Sequence, residues 1–349
     1  MVLFTIIIPC GRARACVLYC RNIRILEREK VGKNYIVLRF CGIKTNKLLT
    51  NGQSFSTIFL DLLARRIGMA QPLVLDGRVV AKAVESDLQE RVKVLVEKTG
   101  IVPVLATIIV GENPASQTYV KMKGNACLRV GIEPRKIELP EETTTEELLK
   151  VIEELNADER VSGILLQHPV PRHIDEQKCF NAIALEKDTD GVNTASFGSV
   201  TMGGNGFKCA TPYSIMTILK YYGIDLNGKH AVVIGRSPIL GKPVAMLLLN
   251  ENATVTICHS RTKNLPEIVK TADVVVACVG KANFVQKDWL KEGVVIVDAG
   301  YNAGNVGDVD LANCAPVSSA YTPVPGGVGP CTIAMLMSQT VESAERKYL

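Results

Sequence analysis

The chain has 349 residues, with 40 lysines and arginines against 35 aspartates and glutamates, a formal net charge of +5. Apolar residues at 47% and charged ones at 21% describe a folded protein and exclude a disordered one. Eleven cysteines without a Cys-x-x-Cys pair, and only four histidines, give no metal-type spacing and fit reduced intracellular thiols. No apolar run approaches the ~18 residues of a membrane span.

The charge is uneven. Residues 1–68 hold 12 basic residues and three acids, Glu27, Glu29 and Asp61, a net of +9. Residues 69–349 hold 28 basic and 32 acidic residues, a net of −4. The leader shows no sustained helical or alternating period. Its apolar stretch, 2–8, lacks a preceding positive region, unlike a secretory signal. Its Arg-rich, acid-poor composition fits an organelle transit peptide, while its scarce serine (Ser54, Ser56) does not. The preferred reading is translation from Met69, with a targeting segment or an extra module as alternatives. Cys10, Cys16, Cys20 and Cys41 have no metal spacing. No basic platform interleaved with aromatics speaks for nucleic acid.

From Asp76 the pattern becomes regular. Asp76 is placed to cap a helix carrying Val80, Val84, Leu88, Val92 and Leu95. A buried strand is expected over 103–110, a helix over 115–130, a short strand over 135–139, a helix over 145–156 and a strand over 161–166. This rhythm implies βαβ units and a parallel sheet, with ligands beyond the carboxyl ends of the strands.

Three such places stand out. After the first strand, a turn at Asn113-Pro114-Ala115-Ser116 feeds a helix with Tyr119 and Lys123 on one face. A lysine beside a tyrosine can carry protons if burial lowers its pKa, or it can be an ordinary surface lysine. After the third strand comes Gln167-His168-Pro169-Val170-Pro171, whose histidine could be purely structural. Then Lys187-Asp188-Thr189-Asp190-Gly191 sets two acids in a turn. One could cap backbone groups while the other faces a ligand, or the turn could hold no ligand at all.

Further on, a helix is expected from Thr211 to about Tyr222 and a strand over 229–235. The strand ends in Gly235-Arg236-Ser237-Pro238-Ile239-Leu240-Gly241, followed by a helix through Leu249. This is a dinucleotide arrangement with Gly-x-Ser-x-x-x-Gly spacing. The next strand, 253–257, ends in Cys258-His259-Ser260-Arg261, with no acid for a ribose 2′-hydroxyl. Ser260 with Arg261 or Arg236 suits a 2′-phosphate, favouring NADP over NAD. Strands are also expected over 273–277 and 294–298, the region of Val309 and Cys314 reads as loop, and a closing helix carries Ile333, Met337, Val341, Ala344 and Tyr348. The string 322–330 reads as a rigid Pro/Gly loop approaching a flat ligand, or as a plain linker.

Five motifs in order resemble the bifunctional methylenetetrahydrofolate dehydrogenase/methenyltetrahydrofolate cyclohydrolase family over residues 75–348. They are Asn113-Pro114-Ala115-Ser116-x-x-Tyr119-x-x-x-Lys123, Gln167-x-Pro169-x-Pro171, Lys187-Asp188-x-Asp190-Gly191, Gly235-Arg236-Ser237-x-x-x-Gly241-x-Pro243 and the 322–330 loop. The resemblance implies an α/β fold of two domains. A βαβ folate-binding catalytic domain (69–208 with 324–349) would precede a Rossmann-like NADP domain (209–323), closed by a C-terminal helix returning to the first. The leader, 1–68, would stand outside the fold.

The resemblance also implies oxidation of 5,10-methylenetetrahydrofolate with NADP and hydrolysis to 10-formyltetrahydrofolate. Lys123 is then the cyclohydrolase acid/base, helped by Gln167. Tyr119 stacks on the folate, Asp190 accepts from the pterin, and Pro325, Gly326 and Gly327 lie over the ligand. Gly235, Arg236, Ser237, Gly241, Ser260 and Arg261 hold the cofactor. A homodimer through the cofactor domains is implied, in the cytoplasm, or in an organelle if the leader is a transit peptide, with no metal, nucleic-acid or membrane partner. His168 stands where leucine is frequent, and Ser214 where glycine is. A dehydrogenase-only relative would lose the Lys123–Gln167 pair, and a non-catalytic nucleotide-binding protein would lose the folate motifs.

Overall fold

The computed structural model describes residues 71–349 and, before them, the backbone of three strands, β1 (Phe4–Pro9), β2 (Arg24–Val31) and β3 (Tyr35–Cys41). These pair antiparallel in the order β1-β3-β2. Their composition hides the alternation expected of strands: Thr5 is the one polar residue of β1, and charges fill five of eight positions in β2. Met69, Cys10, Cys16 and Cys20 lie outside the described residues. Met1–Gln71 and Pro72–Leu349 are separate compact units.

The second unit opens with β4 (Leu73–Val74) and α1 (Gly77–Thr99). Asp76 caps α1, accepting from the Arg78 amide at 2.9 Å, and Gly100 ends it in the left-handed region at φ 71°. Then follow β5 (Val104–Val110), α2 (Pro114–Val130), β6 (Glu133–Leu139), α3 (Thr145–Ala157) and β7 (Val161–Leu166), close to the expected spans. A capping box starts α3: Thr144 Oγ1 accepts from the Glu147 amide at 3.2 Å, and Glu147 accepts from the Thr144 amide at 2.8 Å. The three strands form a parallel sheet in the order β6-β5-β7. Two short helices the periodicity does not reveal, α4 (Glu176–Ala182) and α5 (Thr194–Thr201), lead out of this lobe.

The second lobe runs α6 (Ala210–Tyr221), β8 (His230–Ile234), α7 (Gly241–Asn250), β9 (Thr254–Cys258), α8 (Leu265–Val269), β10 (Val274–Ala277) and β11 (Val294–Asp298). The region of Val309 and Cys314, read as loop, holds α9 (Leu311–Cys314); β12 (Ser318–Tyr321) follows it, before the closing helix α10 (Val328–Tyr348). A strand of Ser-Ser-Ala-Tyr carries little β signal of its own; its place comes from pairing with β11 and β4. The sheet is parallel throughout, in the order β4-β12-β11-β10-β8-β9. Leu73 and Val74, expected in the first domain, thus add an edge strand to the second.

Both faces of this sheet are covered. Ala231, Val233, Val274 and Val276 join one core, while Val232, Ile234, Val275 and Ala277 join another. Each fully buried valine or isoleucine contributes about 1.5–3 kcal/mol, which lets strands of four or five residues hold. Two helices tie the lobes together. In α1, Val80 and Ala81 pack in the second lobe's core and Leu88 and Val92 with Leu105 and Leu165 of the first. In α10, Cys331, Ala334 and Met335 do the former, and Leu336, Met337 and Val341 the latter, so the closing helix returns to the first lobe.

Candidate active site

In the first lobe α2 starts where β5 ends. The Asn113 side chain accepts from the Ser116 amide at 3.1 Å and Pro114 takes the first helical position. One face of α2 then carries Tyr119 and Lys123. Lys123 Nζ donates to Gln167 Oε1 at 2.9 Å. Gln167 stands just past β7, and its Nε2 donates to the His168 carbonyl at 2.7 Å, which leaves the amide oxygen for the lysine. Burial pulls the Lys123 ammonium below the usual lysine range, with Asp190 opposing. Burial pushes the Asp190 carboxyl up, with Lys123 and His168 opposing. Both shifts favour the uncharged forms, so burial makes the lysine a better proton carrier than an exposed one.

The turn at 187–191 divides its roles. Lys187, 5% exposed, caps α3: its Nζ donates to the carbonyls of Leu155, Asn156 and Asp158 at 3.0, 2.7 and 2.8 Å. Asp188, fully buried, accepts from the Val192 and Asn193 amides, each at 3.0 Å, and burial pushes its carboxyl up to about 7. Of the two acids only Asp190 acts on Lys123. Asp188 thus caps the turn, while Asp190 acts on Lys123.

In the second lobe β8 lies between β9 and β10, so the carboxyl ends of β8 and β10 mark the switch point of the sheet. Gly235 follows β8 there at φ 137°, and a Cβ on it would strike the Cys278 carbonyl. A Cβ on Gly241 would stand 2.5 Å from the Gly235 oxygen and 2.7 Å from the Arg236 nitrogen, so α7 begins hard against the strand. Ser237 Oγ accepts from the Gly241 amide at 3.2 Å. Arg236 and Ser237 are exposed, as are Ser260 and Arg261 past the adjacent β9. These residues fit NADP: a side-chain-free cradle for a pyrophosphate, with hydroxyl and guanidinium groups for a 2′-phosphate.

The Pro/Gly loop is clamped at both ends. Thr322 Oγ1 accepts from the Asp298 amide at 2.8 Å, and the Gly326 carbonyl accepts from the Gly77 amide at 2.9 Å. A Cβ on Gly77 would strike the Gly327 carbonyl. The Val324–Pro325 peptide is cis, as is His168–Pro169.

Several residues of this region escape sequence reasoning. Asp308, fully buried, accepts from the amides of Val279, Gly280 and Lys281 at 2.6, 2.9 and 2.9 Å, and from Asn302 Nδ2 at 3.0 Å. Asp298 accepts from the amides of Gly300, Asp308 and Val309, each at 2.9 Å, and burial pushes its carboxyl up to about 6. Together they knit the loops that follow β10 and β11. Tyr301, 58% exposed on the second of these loops, adds to the rise that burial causes in the Tyr119 phenol. Glu176 meets His168 Nδ1 at 2.7 Å. Asp298 ends a strand and Glu176 starts a helix, the only sequence signal either carries; Asp308, in a loop, carries none.

Known proteins share this architecture. The profile described as tetrahydrofolate dehydrogenase/cyclohydrolase, catalytic domain, matches residues 75–190, and that of the NAD(P)-binding domain matches residues 209–348. Bifunctional protein FolD of Acinetobacter baumannii is 61% identical over 277 residues, covering 78% of this chain and 98% of that protein. Its counterpart in Cellvibrio japonicus is 59% identical over 275 residues, covering 79% and 98%. Among solved structures, the bifunctional FolD of Campylobacter jejuni superposes with a TM-score of 0.77 at 45% identity, covering 78% of this chain and 99% of that one. The Trypanosoma brucei FolD, complexed with NADP and an inhibitor, gives 0.77 at 36% identity, covering 80% and 99%.

Proposed function

The chain belongs to the tetrahydrofolate dehydrogenase/cyclohydrolase family, and on that premise we propose how its own residues carry the two reactions. The protein is a bifunctional enzyme, an NADP-dependent 5,10-methylenetetrahydrofolate dehydrogenase and a methenyltetrahydrofolate cyclohydrolase. The observation that carries the residue assignment is the 2.9 Å bond from Lys123 Nζ to Gln167 Oε1 beside Asp190.

In hydrolysis the uncharged Lys123 amine accepts a proton from the water that adds to the methenyl carbon. It returns the proton to the ring nitrogen as that carbon–nitrogen bond opens, and the adduct's remaining hydroxyl proton leaves to solvent as the formyl C=O forms on the other nitrogen. Gln167 holds the amine by its oxygen. Asp190 accepts from the pterin ring, Tyr119 stacks on it, and the loop bearing Pro325, Gly326 and Gly327 covers it. Gly235, Arg236, Ser237, Gly241, Ser260 and Arg261 hold NADP, which when bound takes the hydride from the methylene carbon. The chain's part in that step is to orient the two partners.

We also propose a homodimer through the second lobe, a reading that its open sheet edge supports. β9 ends the sheet, with Val255 and Ile257 only half-buried. Asn250 Nδ2 donates to the Val200 carbonyl at 2.9 Å, and Leu249 and Met202 are large apolar side chains left exposed. The enzyme would work in the cytoplasm; among the described residues no helix is long and apolar enough to cross a membrane.

The test mixes the full-length protein with 5,10-methylenetetrahydrofolate and NADP, following NADPH and the methenyl species by absorbance. NADPH should form without lasting methenyl. Lys123→Met should let methenyl accumulate; unchanged hydrolysis would remove the lysine's role.

A further inference from the structure

We propose that Glu176 and His168 form a positioning pair that sets Gln167, and through it Lys123, for the hydrolytic step. The chain of contacts is continuous. Glu176, in the first turn of α4, meets His168 Nδ1 at 2.7 Å and accepts from the Val170 amide at 3.3 Å with the same oxygen. One carboxylate therefore holds the His168 ring and the Val170 amide, on either side of Pro169. The His168 carbonyl, on the same segment, accepts Gln167 Nε2 at 2.7 Å, and Gln167 Oε1 accepts from Lys123 at 2.9 Å. If the segment shifts, the amide loses its anchor and can turn its NH2 towards the ammonium, which repels it.

The pair also carries charge to the site. The bond to Glu176 raises His168 against burial, with the Glu176 charge and then Asp190 adding to it. Burial pushes the Glu176 carboxyl up, but the bond to His168 and its charge hold it below its ordinary value. The titratable groups acting on the ring are thus Glu176 on α4 and Asp190 on the turn, and Asp190 in turn acts on Lys123 on α2. Neither His168 nor Glu176 needs to touch the reacting atoms; they act through Gln167 and Asp190.

The inference rests on Lys123 being the acid/base of hydrolysis, and the experiment separates the two. Both activities of full-length wild type, Glu176→Ala, Glu176→Gln, His168→Leu and Lys123→Met are measured from pH 5.5 to 9, together with Tm. Glu176→Ala should lose about tenfold in methenyl hydrolysis, the effect of one well-placed hydrogen bond, while NADPH formation changes less than about twofold. Glu176→Gln keeps an acceptor oxygen and should recover most of the loss above the pH at which His168 titrates. His168→Leu should delete one ionisation from the hydrolysis profile, and its half-exposed site keeps it folded if Glu176→Ala does not fold. Equal losses of both activities that track Tm would reduce the pair to scaffold, and unchanged partition and profile would overturn the proposal. If Lys123→Met hydrolyses normally while Glu176→Ala does not, the lysine's role has failed and the pair acts by another route than the one proposed.

Discussion

Gln339, on the last helix, holds Thr189, the neighbour of Asp190: its Nε2 donates to the Thr189 carbonyl at 2.8 Å. The same nitrogen donates to the Lys208 carbonyl at 2.8 Å, and Gln339 Oε1 accepts from the Lys208 amide at 2.8 Å. One buried side chain thus joins the turn carrying Asp190 to the segment that enters the second lobe. Gln339→Leu leaves the Lys208 amide and two carbonyls unpaired, each costing about 1–3 kcal/mol if water does not reach it. Denaturant unfolding should show a loss of at least about 2 kcal/mol. In the folded variant KM for the folate should rise more than KM for NADP.

Lys187 lies three residues from Asp190, yet its ammonium is spent on the end of α3. Lys187→Met should cost about 2–4 kcal/mol, because three carbonyls lose a charged donor at once. Below its lowered Tm the variant should keep both activities per folded molecule. A tenfold loss of hydrolysis without a stability change would show that Lys187 belongs to the site.

The same contrast marks what was legible in the sequence. Periodicity located α1, because Val80, Leu88, Val92 and Leu95 repeat on one face over a long helix. The turn after β8 was legible because two glycines close it, and no side chain fits at either. By contrast β12 is held by its neighbours and not by its own residues. Lys187 and Lys123 both stand in motifs that the sequence singles out, but only tertiary contacts separate the helix cap from the proposed acid/base. Asp308 and Glu176 were illegible for the same reason: neither an acid that accepts three backbone amides nor one that meets a histidine eight residues back leaves a spacing rule in the chain. Leu73 and Val74 are too short a strand to register before their partner β12 is in place.

The glycine cradle should separate the two activities. At Gly241 a methyl group would press on the Gly235 and Arg236 backbone, lifting α7 from the strand end that would receive the cofactor's phosphates. Gly241→Ala should therefore raise KM for NADP by at least about tenfold, as expected when ~1.4 kcal/mol of binding is lost. Hydrolysis of added methenyltetrahydrofolate should be unchanged. Parallel loss of both rates would mean that the substitution disturbs the whole fold and not the cradle alone.

Cofactor choice should depend on Arg261, exposed past β9 beside Ser260. Removing a guanidinium from a phosphate costs about 1.5–3 kcal/mol in charge-assisted hydrogen bonding. Arg261→Ala should raise KM for NADP roughly ten- to a hundredfold and leave the weaker use of NAD nearly unchanged. Initial rates with each cofactor at fixed folate measure the ratio. Equal effects on NADP and NAD would show that Arg261 does not read the 2′-phosphate.

The pH dependence of hydrolysis should report the Lys123–Asp190 pair. Hydrolysis needs the uncharged amine, so the rate falls as pH drops through the lysine's pKa. Burial lowers that pKa, and the Asp190 charge raises it part of the way back. Asp190→Asn removes the opposing charge, so the amine stays uncharged to lower pH and the acid limb of the profile should move down. Folate KM should rise in the same variant, because the pterin then meets an amide in place of the carboxyl. Measuring kcat for added methenyltetrahydrofolate between pH 5.5 and 9 at saturating substrate separates the two effects. A limb that stays in place, or moves up, would mean that the Asp190 carboxylate is not charged when the lysine works, and the pair would then act as a neutral hydrogen-bonded unit.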